Sequence, residues 1–276
     1  MTEKPASSYP LDGQTAVVTG AAQGLGLAMV ERLARDGASV IIGDVQEDKA
    51  AAEAERLQAQ GLLVTGALLN VADSAQVTDF FETLAQKGRL DILVNNAGLN
   101  QKVDSLTETT DEEWDRVIKV ILTGTFYCCR AGGLIMERQE SGCIVNISSI
   151  NGQSPAALVG AYNVAKAGII SLTETLAVEL AAYGVRVNAV CPGPVYTAFN
   201  QSNMAQRSSS LGISEEEIIE RVRKAVPLGR WGEPMDIAEG VAFLCSPAAS
   251  WITSEVLRVS GGLTGVSAVP PKKPKS

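Results

Sequence analysis

Short runs rich in valine and isoleucine alternate along the chain with longer stretches in which apolar residues recur every three to four positions. The first pattern predicts strands buried on both faces, and the second predicts helices with one side against a core. Strands are predicted at 15–19 (TAVVT), 38–43, 62–68, 91–94, 143–148, 185–190 and 255–259, and helices at 24–35, 46–59, 74–87, 111–136, 160–182, 215–225 and 234–245. Regular alternation of strand and helix implies βαβ units, so the expected class is α/β, with a single doubly wound sheet of about seven parallel strands flanked by helices.

No Pro-rich or Ser/Gly-rich linker divides the chain, which argues for one domain. The expected organisation is a flexible extension over 1–10, one cofactor-binding and catalytic domain over 11–267 with a substrate lid near 193–230, and a basic, proline-rich tail over 268–276. Two predicted helices are unusually poor in charge. The stretch 160–182 carries Lys166, Glu174 and Glu179, and the stretch 118–135 carries Lys119 and Arg130. Such helices bury more than one side, either within the monomer or at a subunit interface.

Composition narrows the chemistry. The 276 residues include no histidine, which excludes Ser-His-Asp and Cys-His triads and His-ligated zinc or haem; no metal site is expected. A net charge of −8 disfavours nucleic acid as a partner. The five cysteines lack C-x-x-C spacing and lie mostly in apolar stretches, as reduced core thiols do. No apolar run approaches the ~18 residues of a membrane span and the start has no signal-peptide core, so a soluble cytoplasmic protein is expected.

Directly after the first strand, Gly20-Ala21-Ala22-Gln23-Gly24-Leu25-Gly26 opens a helical pattern. Gly20 suits a tight turn, Gly24 lets backbone approach a pyrophosphate, Gly26 lets helix and strand pack closely, and the helix N-terminus offers free N–H groups. Gln23 and Leu25 complete the loop and count with the glycines as cofactor contacts. Gly-rich turns are also common as plain structure; position after a strand and before a helix is what favours binding. Asp44 ends the second strand 18 residues beyond Gly26, where a carboxylate accepts from the adenosine ribose hydroxyls and repels a 2′-phosphate. With Gln23 neutral and no Arg or Lys seen in a position to pair with that phosphate, NAD is expected over NADP. The alternative is an aspartate that caps the next helix.

Tyr162 and Lys166 stand four apart on a predicted helix, hence on one face. A neighbouring cation favours phenolate, so in a chain without histidine Tyr162 is the best candidate for a general acid/base; by itself, Y-x-x-x-K is usually just a helix face. Together with TGAAQGLG, the NNAG of Asn95 to Gly98, Ser149 and the PGPVYT of Pro192 to Thr197, this pair resembles the short-chain dehydrogenase/reductase family, from about Leu11 to Gly262. The resemblance implies a Rossmann-like fold and an oxidoreductase acting on a secondary alcohol or its ketone. It implies Tyr162 as acid/base, Lys166 on the nicotinamide ribose, and Ser149 on the substrate oxygen. It further implies cofactor contacts from Asn96, Ala97, Gly98, Asn70, Val71, Pro192, Val195 and Thr197, and a homotetramer through helices 111–136 and 160–182.

At Ile121 the family pattern usually has an asparagine that helps hold a relay water, which opens the alternative of an NAD-binding protein with weak or no catalysis. An epimerase or dehydratase of the extended group is disfavoured because it needs a longer C-terminal region. Specificity is expected from 193–230, from Asn151 to Pro155, with Asn151 as a substrate contact, and from Leu99 to Lys102, all after the C-terminal ends of strands.

Overall fold

The computed structural model describes residues 9–265. Of the expected extension over 1–10, residues 1–8 lie outside the described residues, as does the tail over 268–276. Strands β1 (Thr15–Thr19), β2 (Ser39–Asp44), β3 (Val64–Leu68), β4 (Ile92–Asn95), β5 (Gly142–Ile147), β6 (Val185–Pro192) and β7 (Val256–Val259) form one sheet in the order β3-β2-β1-β4-β5-β6-β7. Every pairing is parallel. Strand order reverses between β1 and β4, and the crevice there is where an open α/β sheet takes a ligand.

Helices α1 (Gly24–Arg35), α2 (Glu47–Gln58), α3 (Ser74–Lys87), α4 (Asp111–Ile118), α5 (Gly124–Gln139), α6 (Ile150–Gln153), α7 (Gly160–Leu180), α8 (Ala198–Leu211), α9 (Glu215–Ala225) and α10 (Pro234–Cys245) cover the sheet. Two cores result. Met29, Leu33, Ile42, Leu57, Ile92 and Val241 fill one face, and Val17, Phe81, Leu93, Cys128, Met136 and Val187 fill the other. All five cysteines are buried and unbridged.

Three features depart from the sequence expectation. The helix over 111–136 is broken by a π-helical turn at Lys119–Thr123, and Ile121 sits inside it, fully buried against Val117, Ala161, Ala165 and Ile169. A π turn inserts one residue, and here the Thr125 hydroxyl donates to the Ile121 carbonyl at 2.7 Å. Secondly, α4, this turn and α5 form one helical stretch, Asp111–Gln139, of 29 residues and mean hydropathy 1.3 over an 18-residue window, long and apolar enough to cross a membrane. A search for an uninterrupted apolar run passes over it because Lys119 and Arg130 punctuate it; 44% of that window is buried in the fold. Thirdly, α8 was not predicted. Nine of its fourteen residues are polar, and its limits are set locally by the Thr197 hydroxyl, which accepts from the Asn200 N–H, and by Gly212 in the left-handed region at φ 66°.

Candidate active site

The turn after β1 is built for a close approach. Gly20 (φ 61°) leaves no room for a side chain, since a Cβ there would stand 2.6 Å from the Ala97 Cα; at Gly26 one would stand 2.6 Å from the Asn96 Nδ2 and the Gly20 oxygen. Gly24 (φ 60°) is different, because a Cβ there would meet nothing within 4 Å. It faces a space that the protein leaves open. Asp73, Thr110, Thr197 and Ser214 cap α3, α4, α8 and α9, whereas no side chain caps α1 and no acid stands in its first turn. An open cradle at an uncapped helix N-terminus fits the pyrophosphate of a dinucleotide.

Asp44 is buried, and both carboxylate oxygens accept backbone donors: Oδ2 from Ala22 N–H at 3.0 Å and Oδ1 from Gln46 N–H at 3.0 Å. It therefore ties the glycine loop to the chain just before α2 without capping that helix, which has no side-chain cap. One sequence expectation is corrected. Lys49, one turn into α2, reaches across so that its Nζ donates to the Gln23 Oε1 on the glycine loop. A cation does stand against the glycine loop; the spacing conceals it because only the packing of α2 over the loop brings positions 23 and 49 together.

Asn96 buttresses the same turn, its Nδ2 donating to the Thr19 and Gly20 carbonyls at 3.1 and 2.9 Å, while Thr19 Oγ1 accepts from the Asn96 and Ala97 N–H groups. Gly98 is exposed beyond them. Asn95 points into the sheet, donating to Asn146 Oδ1 on β5 at 2.8 Å, so it ties strands together. Asn70 is exposed and turns its side chain back to the Ala72 N–H, while Val71 is buried under Gly124 at the start of α5. Val195 is buried and bridges to Gly232, and its carbonyl accepts from Asn200 at 2.7 Å. Pro192 closes β6, and Gly193 lies so near Ser260 that a Cβ would stand 2.6 Å from its Cα.

Ser149, Tyr162 and Lys166 converge beyond the ends of β4 and β5. Ser149 is buried and caps α6 through the Asn151 N–H at 3.1 Å. Burial pushes the Tyr162 phenol above the ordinary tyrosine range, and the nearby Ser149 hydroxyl works against that. Lys166, one turn further along α7, is 5% exposed; its Nζ lies 5.7 Å from the Tyr162 ring centroid and donates to the Ile147 carbonyl at 2.7 Å. Burial pulls this ammonium down to about 8. Asn151 is half-buried on α6 beside Ser149. The arrangement can hold and pass a proton at the phenol oxygen, next to a cradle for a dinucleotide. Gln101, within the segment 99–102 from which specificity is expected, joins it through a contact the sequence does not show: it is buried and accepts the Tyr162 backbone N–H. An isolated glutamine in a loop carries no sequence signal of such a role.

A family profile described as enoyl-(acyl carrier protein) reductase matches residues 20–264. The chain is 36% identical over 254 residues to dehydrogenase/reductase SDR family member 4 of Oryctolagus cuniculus, spanning 92% of this chain and 94% of that protein. It is 37% identical over 257 residues to the 3-oxoacyl-(acyl-carrier-protein) reductase FabG of Thermotoga maritima, spanning 92% and 98%. The crystal structure of a variant actinorhodin polyketide ketoreductase with NADPH matches with a TM-score of 0.86 and 34% identity, over 93% of this chain and 99% of that one.

Proposed function

This chain belongs to the short-chain dehydrogenase/reductase family, a family of oxidoreductases that use a nicotinamide cofactor, and on that premise we propose that it interconverts a secondary alcohol and a ketone with NAD, Tyr162 serving as general acid/base. The observation that carries the reading is the convergence of Ser149, Tyr162 and Lys166, whose Nζ lies 5.7 Å from the Tyr162 ring centroid, beside the open cradle at Gly24. When bound, the cofactor supplies hydride exchange at its nicotinamide ring. Tyr162 takes the alcohol proton on oxidation or returns it on reduction; Ser149 donates to the same substrate oxygen and fixes it. Lys166 supplies positive charge near the phenol and a donor for the nicotinamide ribose. Gly20, Gln23, Gly24, Leu25 and Gly26 cradle the pyrophosphate, and Asp44 faces the adenosine ribose.

NADH formation from NAD, and NADPH from NADP, across polyols, cyclic alcohols and hydroxyacyl esters tests the reading. Absorbance growth with any secondary alcohol supports it. A silent panel alongside tight NADH binding would favour the second reading, a nicotinamide-binding protein with little turnover. Ile121 motivates that reading, because its buried side chain cannot hydrogen-bond a relay water.

Cofactor choice rests on two opposed groups. The Asp44 carboxylate disfavours a 2′-phosphate, and the Lys49 ammonium favours it. Asp44→Ala is expected to shift the kcat/KM ratio of NAD over NADP toward NADP by ~10-fold or more, and Lys49→Ala to shift it the other way by a few-fold. The ratio is the proper readout, because losing the Asp44 bonds to Ala22 and Gln46 loosens the loop for both cofactors. If neither variant moves it, selection lies elsewhere.

The assembly we propose is a cytoplasmic homotetramer built through the helical stretches 111–136 and 160–182. Phe126 and Leu134 on α5 and Val164 and Val178 on α7 are exposed apolar side chains, Val178 at 75%. Burying such a surface between subunits is favourable at roughly 25 cal/mol per Å2. Sedimentation at micromolar concentration should give the tetramer mass, and a monomer boundary would refute it.

A further inference from the structure

Tyr162 is the third residue of α7, so its backbone N–H is one of the first-turn donors that the helix itself cannot satisfy. Val159, the residue before the helix, offers no side-chain cap. The partner comes instead from 61 positions away: Gln101 Oε1 accepts the Tyr162 N–H at 2.8 Å. Gln101 lies in the loop after β4, and that loop grips the entry to α7 at further points. The Asp104 N–H donates to the Leu158 carbonyl at 3.0 Å, and Asp104 forms an isolated parallel bridge with Val159. Leu158 itself is held in the left-handed region at φ 71°, a conformation a branched side chain adopts only when its surroundings impose it. From the other side, the Val103 N–H donates to Gln206 Oε1 on α8 at 3.1 Å.

Because its Oε1 must face the Tyr162 N–H, the orientation of the Gln101 amide is determined, and its Nε2 necessarily carries the donors. Gln101 is 3% exposed, and its buried Nε2 has no hydrogen-bond partner among the described residues. Buried amide donors are almost always satisfied, and leaving one open is costly. This one sits two bonds from the atom that holds Tyr162, in a loop flanked by α7 and α8 at the C-terminal edge of the sheet.

We propose that Gln101 is both a positioning residue for Tyr162 and a substrate-recognition residue: its Oε1 fixes the first turn of α7, and its Nε2 donates to a second oxygen on the substrate, apart from the one that reacts. The substrate class is then an oxygenated alcohol or ketone, such as a keto ester or polyol, in preference to a plain one. This rests on the reading of Tyr162 as acid/base.

The test compares wild type, Gln101→Met and Gln101→Glu as NADH complexes. Ligand affinity is read from NADH fluorescence and kcat from NADH oxidation, with ethyl acetoacetate and a straight-chain methyl ketone of equal heavy-atom count. Wild type should bind the keto ester more tightly, and Gln101→Met should lose roughly five- to tenfold of that preference, since methionine has no donor. Gln101→Glu keeps an acceptor for the Tyr162 N–H and should retain several-fold more kcat on the plain ketone than Gln101→Met, which should lower it about tenfold. A preference unchanged in Gln101→Met, as when water alone serves the donor, overturns the recognition role. Equal kcat in the two variants overturns the positioning role. Tyr162→Phe in the same assay keeps the readings apart: turnover surviving in it would remove the acid/base assignment, while the affinity preference still reports on Gln101.

Discussion

Tyr162→Phe should lower turnover by ~10² or more while NADH binding stays within a few-fold of wild type. The substitution deletes one oxygen and keeps the ring that packs beside Ala161, Ala165 and Ile121. Ser149 still caps α6 through the Asn151 N–H, so the local fold has no reason to change. What disappears is the oxygen proposed to carry the proton. Burial raises the phenol above its ordinary range, so its base form becomes more populated as pH rises. Alcohol oxidation by the wild type should therefore accelerate with pH, and ketone reduction should weaken, on the limb controlled by this group. Stopped assays of both directions across pH check this. Turnover near the wild-type level in Tyr162→Phe would move the proton chemistry to another group.

Lys166→Met should change activity and stability in opposite directions. Turnover is expected to fall by ~10² because the variant loses the cation beside the phenol. Stability at neutral pH is expected to rise by about 1–2 kcal/mol, because the buried ammonium is held at a pKa of about 8 against an ordinary lysine value of 10.5. The unfolded chain binds the extra proton between those two values, so wild-type stability climbs as pH rises through that window and is lowest below it. The full linkage is about 3 kcal/mol, and the lost hydrogen bond to the Ile147 carbonyl offsets part of it. Urea denaturation of both proteins at pH near 7 and near 10 measures the difference. The advantage of Lys166→Met should shrink at the higher pH; a variant less stable than wild type at both would show that the bond to Ile147 outweighs desolvation.

Much of this arrangement is legible along the chain because its causes are local. The Val- and Ile-rich runs lie within one or two residues of the observed strands, since a strand covered on both faces must be apolar throughout. Gly20, Gly24 and Gly26 mark the cradle because only residues without a Cβ tolerate their dihedrals and contacts. Tyr162 and Lys166 share a face because helical spacing requires it. By contrast, α8 has no apolar stripe to betray it, and the π turn at Lys119–Thr123 leaves no break in the hydrophobic period.

The chain by itself determined the order of strands and helices, the glycine turn and the face shared by Tyr162 and Lys166, because neighbours within a turn or a strand dictate each of these. Only the tertiary structure decided which groups far apart in sequence meet: Lys49 with Gln23, Asp44 with Ala22, Lys166 with Ile147 and Gln101 with Tyr162. These contacts depend on how helices and loops settle over the sheet, and the same packing sets the burial that lifts the phenol and lowers the ammonium. Desolvation is a property of everything that surrounds a group, and no single stretch of sequence contains it.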